Sequence, residues 1–167
     1  EGTNNIQEEK YILCNAKKVS IKWNKVIGLN DLNNLALPPN TYRKYSGERD
    51  PKIFICHWDA ALSSKSCHDI LVRRNLSVQF AIDNDGTIYQ MTDTNDVAQH
   101  AGIWNSISIG VEVTNAVELK YQKYYKSKGF GERPTWSKTK VHGKSYGSIL
   151  GFYPIQIEAL KVLIKTV

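Results

Sequence analysis

Long apolar runs are missing from this sequence: no stretch approaches the roughly 18 consecutive apolar residues that a membrane-spanning helix needs, so such a helix is excluded. Cysteine is scarce, with only Cys14, Cys56 and Cys67 in 167 residues. An odd count leaves at least one thiol unpaired, and no C-x-x-C spacing suggests a thiolate metal site or a redox pair. Cys56 and Cys67 are able to pair, but Cys56 stands in an apolar run beside His57, and a buried free thiol is the preferred reading. Position 1 is Glu rather than Met, with no basic-then-apolar leader after it, so the chain reads either as a processed product or as a piece whose true start is not visible. Internal repeats and low-complexity tracts are absent too.

What is present suits one domain. An apolar fraction of 41% and a charged fraction of 23% are those of an ordinary globular chain, and 167 residues suffice for a single core. A net charge of +6 favours anionic partners: nucleic acid, a membrane surface or an acidic wall polymer. The cations fall in small clusters, Lys17-Lys18, Arg73-Arg74 and residues 120–128, rather than along one helix or arm. Nucleic-acid binding is therefore not expected.

Residues 1–50 read as an N-terminal extension. Tyr11-Ile12-Leu13-Cys14 and Val19-Ser20-Ile21-Lys22-Trp23 are strand-like runs around a turn at residues 15–18, which predicts a hairpin. A Pro38-Pro39 loop and the polar segment 43–52 follow as a connector. Residues 51–167 form the main domain. Lys52-Ile53-Phe54-Ile55-Cys56 is a strand ending at His57, and the serines at 63–66 offer N-caps for a helix to Arg74. Two strand runs, 78–82 and 87–91, flank Asp83-Asn84-Asp85-Gly86, where Asp-Gly supplies the positive φ of a tight hairpin turn. A further strand covers 107–113, and a helix begins at Pro154 and is still running at Val167. Between them, residues 115–151 show no period and read as a mostly irregular insert with a short helix near 118–125.

Histidine is rare, at His57, His68, His100 and His142. His57 closes a strand, and His100 precedes another within Gln99-His100-Ala101-Gly102. Neutral imidazoles on such rigid platforms bind zinc and leave a position open for water. Glu112, in Ser108-Ile109-Gly110-Val111-Glu112-Val113, is a lone carboxylate in an apolar strand. Buried unpaired it costs several kcal/mol. Beside a metal it would act as general base.

These pieces, in this order, resemble the zinc-dependent N-acetylmuramoyl-L-alanine amidase family, which shares its fold with phage T7 lysozyme and the peptidoglycan recognition proteins. The resemblance is carried by Phe54-Ile55-Cys56-His57, the stretch 77–90, His100-Ala101-Gly102 with Asn105, and Ser108-Ile109-Gly110-Val111-Glu112. It covers about residues 53–115 and resumes at 153–167. It implies that His57 and His100 are zinc ligands and that Glu112 is the catalytic carboxylate. A branch that uses tyrosine two residues before the Phe80 position fits less well, because Val78 stands there. The family's third ligand and an oxyanion-stabilising lysine fall beyond the last helix, so the expectation is a domain truncated at its C-terminus, with the third ligand past Val167.

The resemblance further implies an α/β fold, a central mixed sheet of about five strands flanked by helices, and Zn2+ as cofactor. The implied partner is bacterial peptidoglycan, cut between N-acetylmuramic acid and L-alanine at the cell wall, and the unled start favours a phage setting over bacterial remodelling. The alternative is an inactive peptidoglycan-binding module of the same fold. Trp58, Trp104, Asn105 and Tyr89 are candidate substrate contacts, although packing explains Trp58 and Tyr89 equally well. His68 reads as a residue on a solvated or half-buried helix face, and His142 as a polar surface residue, the alternative being that it reaches the cleft to contact substrate or to stand in for the absent ligand. The basic insert either tracks an anionic polymer or is a solvated lysine-rich loop, the simpler account.

Overall fold

Alternation of apolar and polar residues builds the protein from its N-terminal side inward. The computed structural model describes residues 8–141 and 143–167, so the reading of His142 lies outside the described residues. Strand β1 (Tyr11–Cys14) pairs antiparallel with β2 (Lys17–Ser20), turning at Asn15 and Ala16, both with positive φ. Strand β3 (Val26–Ile27) then enters the central sheet, and β4 (Tyr42–Arg43) lies in the loop region ahead of β5 (Ile53–Trp58). Helix α1 (Ser64–Arg74) starts where the Ser63 side chain accepts the Ser66 N–H and stops at Asn75, whose left-handed φ of 54° ends it.

The predicted hairpin is β6 (Phe80–Ile82) and β7 (Ile88–Gln90), antiparallel across a turn where Gly86 has φ +80°. Strand β8 (Val97–Ala98) pairs with β4, and a 3₁₀ turn at Gly102–Ile107 leads into β9 (Ser108–Val113). Helix α2 (Gln122–Ser127), the hairpin β10 (Thr135–Val141) and β11 (Lys144–Leu150), and helix α3 (Pro154–Thr166) complete the chain.

Five strands form the central mixed sheet in the order β3-β7-β6-β9-β5, with β6, β9 and β5 mutually parallel and β7 antiparallel to β6. Period-two alternation gives β9 two faces. Ile109, Val111 and Val113 pack with Phe80, Ile82, Ile88 and the α3 residues Ala159 and Leu163. The opposite face carries Ala81, which packs with Val78 and with Cys67 and Leu71 of α1. Each fully buried aliphatic side chain contributes about 1.5–3 kcal/mol, so both helices are held by the sheet they cover. The expected α/β architecture with helices on either side is what the chain adopts.

Residues 1–50 and 51–167 share one interior among the described residues. Ile12, Ile21 and Val26 lie in the α3-side core, while Leu35 and Leu37 lie in the α1-side core. Gln90 ties β1 to the hairpin by accepting from the Leu13 N–H and donating to the Leu13 carbonyl, each at 2.7 Å.

Two expectations change. Residues 115–151 are more ordered than their sequence suggests, because β10 and β11 pair along nearly their whole length. The signal was hidden because most of this ribbon's side chains are exposed, so no apolar alternation marks it. Cys56 is free but exposed, on the outermost strand of the sheet, whereas Cys67 is the buried thiol; neither forms a disulfide.

Candidate active site

Parallel pairing of β5 with β9 sets His57 beside Glu112, and β6 places Ala81 on Glu112's other side. Partnered residues in a parallel pair point to the same face, so His57, Gly110 and Glu112 all lie on the face away from α3. His100 arrives from the loop after β8. Its Nδ1 stands 2.7 Å from His57 Nε2, with the rings nearly perpendicular at 89°.

The backbone beneath explains how the His100 ring fits. A Cβ at position 110 would fall 2.7 Å from Cε1 and Nδ1 of His100. Glycine there lets the ring lie on the strand. The other ring nitrogen, Nε2, is 3.1 Å from Ser108 Oγ, a hydroxyl that serves either ring tautomer as acceptor or donor. With its proton on Nε2 toward Ser108, His100 turns the Nδ1 lone pair toward His57.

The loop is clamped from two sides. Asn105 Oδ1 accepts from the His100 and Ala101 N–H groups at 3.1 and 2.7 Å, and its Nδ2 donates to Gln99. Arg49, nearly buried, donates through Nη1 to the carbonyls of Asn105, Ser106 and Ser108, and through Nε and Nη2 to that of Thr94. Sequence reading passed over Arg49 as part of a polar connector, and a single arginine in such a segment carries no local signal. Asp59 was missed as well. It accepts from the Ala61 and Asn115 N–H groups and the Thr114 hydroxyl, joining the ends of β5 and β9, and burial raises its carboxyl to about 6.

Electrostatics favour neutral imidazoles. Burial lowers the His57 pKa, while burial, then His57, then Arg49 lower that of His100 to about 4. Glu112 behaves oppositely: burial, with Asp59 adding repulsion, raises its carboxyl to about 8. Its Oε2 is buried without a hydrogen-bond partner, the condition expected of a group held for a ligand or a reaction.

Three of the expected substrate contacts differ in surroundings. Trp104, on the 3₁₀ turn, is 49% exposed. The Asn105 amide is engaged by the His100 loop. Trp58 donates its indole N–H to the Asn115 carbonyl and packs against Trp136 and Phe152, alternating to the face opposite His57. His68, half-buried on α1, meets Asp69 and the Ala36 carbonyl. Among the described residues no three His, Cys, Asp or Glu side chains converge as a metal-holding group. Two imidazoles held toward their neutral form are of the ligand type zinc takes and would furnish part of a set, with the Glu112 carboxyl beside them.

A family described as N-acetylmuramoyl-L-alanine amidase matches residues 47–167. No curated protein matches the chain. Solved structures similar to it include an E. coli N-acetylmuramyl-L-alanine amidase, AmiD, in complex with anhydro-N-acetylmuramic acid-L-Ala-D-gamma-Glu-L-Lys; identity is 22% and the TM-score 0.48, over 74% of this chain and 45% of that one. A mutant of Drosophila PGRP-LB in complex with tracheal cytotoxin is 17% identical with a TM-score of 0.46, over 84% and 72%. Drosophila peptidoglycan recognition protein SA is 16% identical with a TM-score of 0.44, over 81% and 65%. The chain thus spans less than half the length of the AmiD chain.

Proposed function

The chain belongs to the N-acetylmuramoyl-L-alanine amidase family, and from that membership we propose that it hydrolyses the amide between N-acetylmuramic acid and L-alanine in bacterial peptidoglycan. In this reading Glu112 is the general base and His57 and His100 hold zinc. The observation that carries it is the meeting, on one sheet face, of a buried carboxylate oxygen without a partner and two facing imidazoles.

Zinc, when bound, supplies Lewis acidity toward the scissile carbonyl and lowers the pKa of water toward about 7. The chain's own residues supply the rest. Neutral His57 and His100 present lone pairs, and Ser108 holds the second ring nitrogen of His100. Ionised Glu112 takes the proton of the attacking water. The same half-buried, unpartnered carboxyl then delivers that proton to the leaving nitrogen. Trp104, on the turn that follows the His100 loop, is an exposed aromatic available to a sugar ring; Asn105 and Trp58 act by holding the His100 loop and the β5 end.

Peptide release from purified sacculi, with and without chelator, alongside zinc analysis, tests this. Glu112→Gln is expected to keep zinc and lose about 10²- to 10⁴-fold in rate, and His57→Ala to lose both. A chain that binds no zinc and cleaves unchanged after His57→Ala would refute the mechanism. Binding to sacculi without release would instead support the inactive module.

The 2.7 Å contact favours a second reading for His100. Two nitrogens on one tetrahedral zinc stand roughly 3.3 Å apart, given Zn–N of about 2.0–2.1 Å, so the observed spacing is that of a hydrogen bond. In that reading His57 Nε2–H would donate to His100 Nδ1, leaving the other His57 ring nitrogen as the one that would hold zinc. Zinc titration of His100→Ala separates the two: loss of a ligand abolishes binding, whereas loss of an orienting partner weakens it by about 10- to 100-fold.

A further inference from the structure

The charge of this chain is segregated. Residues 115–151 hold eight of the 22 Lys and Arg residues and two of the 16 Asp and Glu residues, so this segment carries the whole net +6 and the remaining residues balance at 14 of each sign. Its two acids are already engaged, Glu118 with Lys120 at 2.8 Å and Glu132 with Lys126 at 2.9 Å. Arg133 is buried. The remaining cations, Lys123, Lys128, Lys138, Lys140 and Lys144, are exposed and form no ion pair among the described residues.

These lysines stand on a built scaffold. Strands β10 and β11 pair only with each other, and most of the ribbon's residues are exposed. Its base is fixed: Arg133 donates to the carbonyls of Gly151 and Thr114 and to the side chains of Gln156 and Asn84, between the rings of Tyr125 and Tyr153. Trp136 packs on Trp58, whose side chain lies on the sheet face opposite His57. The segment closes at its neck, where the Leu150 N–H meets the Val117 carbonyl at 2.8 Å. Gathering like charge costs self-repulsion that a polyanion relieves.

We propose that residues 115–151 form a docking arm for a phosphodiester-linked anionic polymer of the cell wall, which holds the catalytic face against the neighbouring peptidoglycan. The setting rests on the function proposed above. The chemistry is that of the arm: all its free cations are lysines, compact point charges that follow a flexible chain of phosphates without the planar fork of arginine. Arg, Asn and Gln, the usual readers of base edges, are absent from β10 and β11. That disfavours sequence-reading contact with nucleic acid.

The test is cosedimentation with chelator present, so that binding is scored without turnover. The probes are sacculi carrying their phosphodiester polymer, the same sacculi stripped of it by hydrofluoric acid, and duplex DNA at equal phosphate concentration. The variant combines Lys123→Gln, Lys128→Gln, Lys140→Gln and Lys144→Gln with Lys138→Asn, since position 138 has φ 53°, which asparagine tolerates. At physiological salt the variant is expected to bind intact sacculi at least about tenfold more weakly than the wild type, since five exposed cations that would meet the polyanion are removed. Stripping should weaken the wild type similarly, and the two chains should then bind alike. Peptide release from stripped sacculi, measured separately, should be equal for both, so a failed hydrolase reading and a failed arm are distinguishable. Equal binding by the wild type to intact and stripped sacculi, equal binding by wild type and variant to intact sacculi, or tighter binding to DNA than to the wall polymer would each overturn the proposal.

Discussion

Glu112 is half-buried on β9 with its Oε2 shielded and unpartnered, and that setting governs its protonation. Burial raises its pKa from the ordinary 4.5 to about 8. The folded state therefore keeps a proton that the unfolded state releases, and the protonated carboxyl's contribution is fully present below about 4.5 and lost as pH rises through about 8. Metal-free protein, kept so by chelator, is expected to lose thermal stability relative to Glu112→Gln as pH is raised from 5 to 9. A difference in melting temperature that stays flat over that range would show that Glu112 is solvated. His100 teaches a related lesson. Its chemistry was legible in the order of residues around it, but its 2.7 Å approach to His57 was not, because that spacing depends on a missing Cβ at Gly110 and on carbonyls held by Arg49.

At the scale of elements, the β6–β7 hairpin and both long helices are readable because their signals are local: Asp-Gly at the turn, serine at the cap, proline in the first turn of α3. The β10–β11 ribbon is not readable in this way, since its order comes from cross-strand bonds and from its base. Arg133 is the fastening, and its buried guanidinium satisfies acceptors contributed by Asn84, Thr114, Gly151 and Gln156. Arg133→Gln strands several of these, and a loss of at least about 3 kcal/mol is expected. Denaturant unfolding measures the loss. Faster amide exchange in residues 135–150 than in β9 would locate it, and uniform change across both would argue against a fastening role.

For the whole molecule, the N-terminal residues are part of the interior. Ile12, Ile21 and Val26 are buried against the sheet, and β3 forms one of its edges. At about 1.5–3 kcal/mol each, their loss approaches the 5–15 kcal/mol that stabilises a typical domain. A chain beginning at residue 29 is expected to lose its cooperative thermal transition; a sharp transition near the parent's temperature would show the N-terminal segment to be dispensable. By itself the sequence determined the α/β class, the short-range elements and the ordered residues that tie the chain to its family, because period, capping and turn chemistry act over a few residues. Only the tertiary structure decided that Cys56 is exposed, that residues 135–150 pair, that Arg49 and Arg133 are buried clamps, and that His57, His100 and Glu112 share one face. The 135–150 ribbon pairs locally but has no apolar alternation to mark it; the other outcomes depend on register between strands 40 or more residues apart, such as β5 and β9, and on which carbonyls the packed chain leaves unpaired. Neither is written in any local stretch of residues.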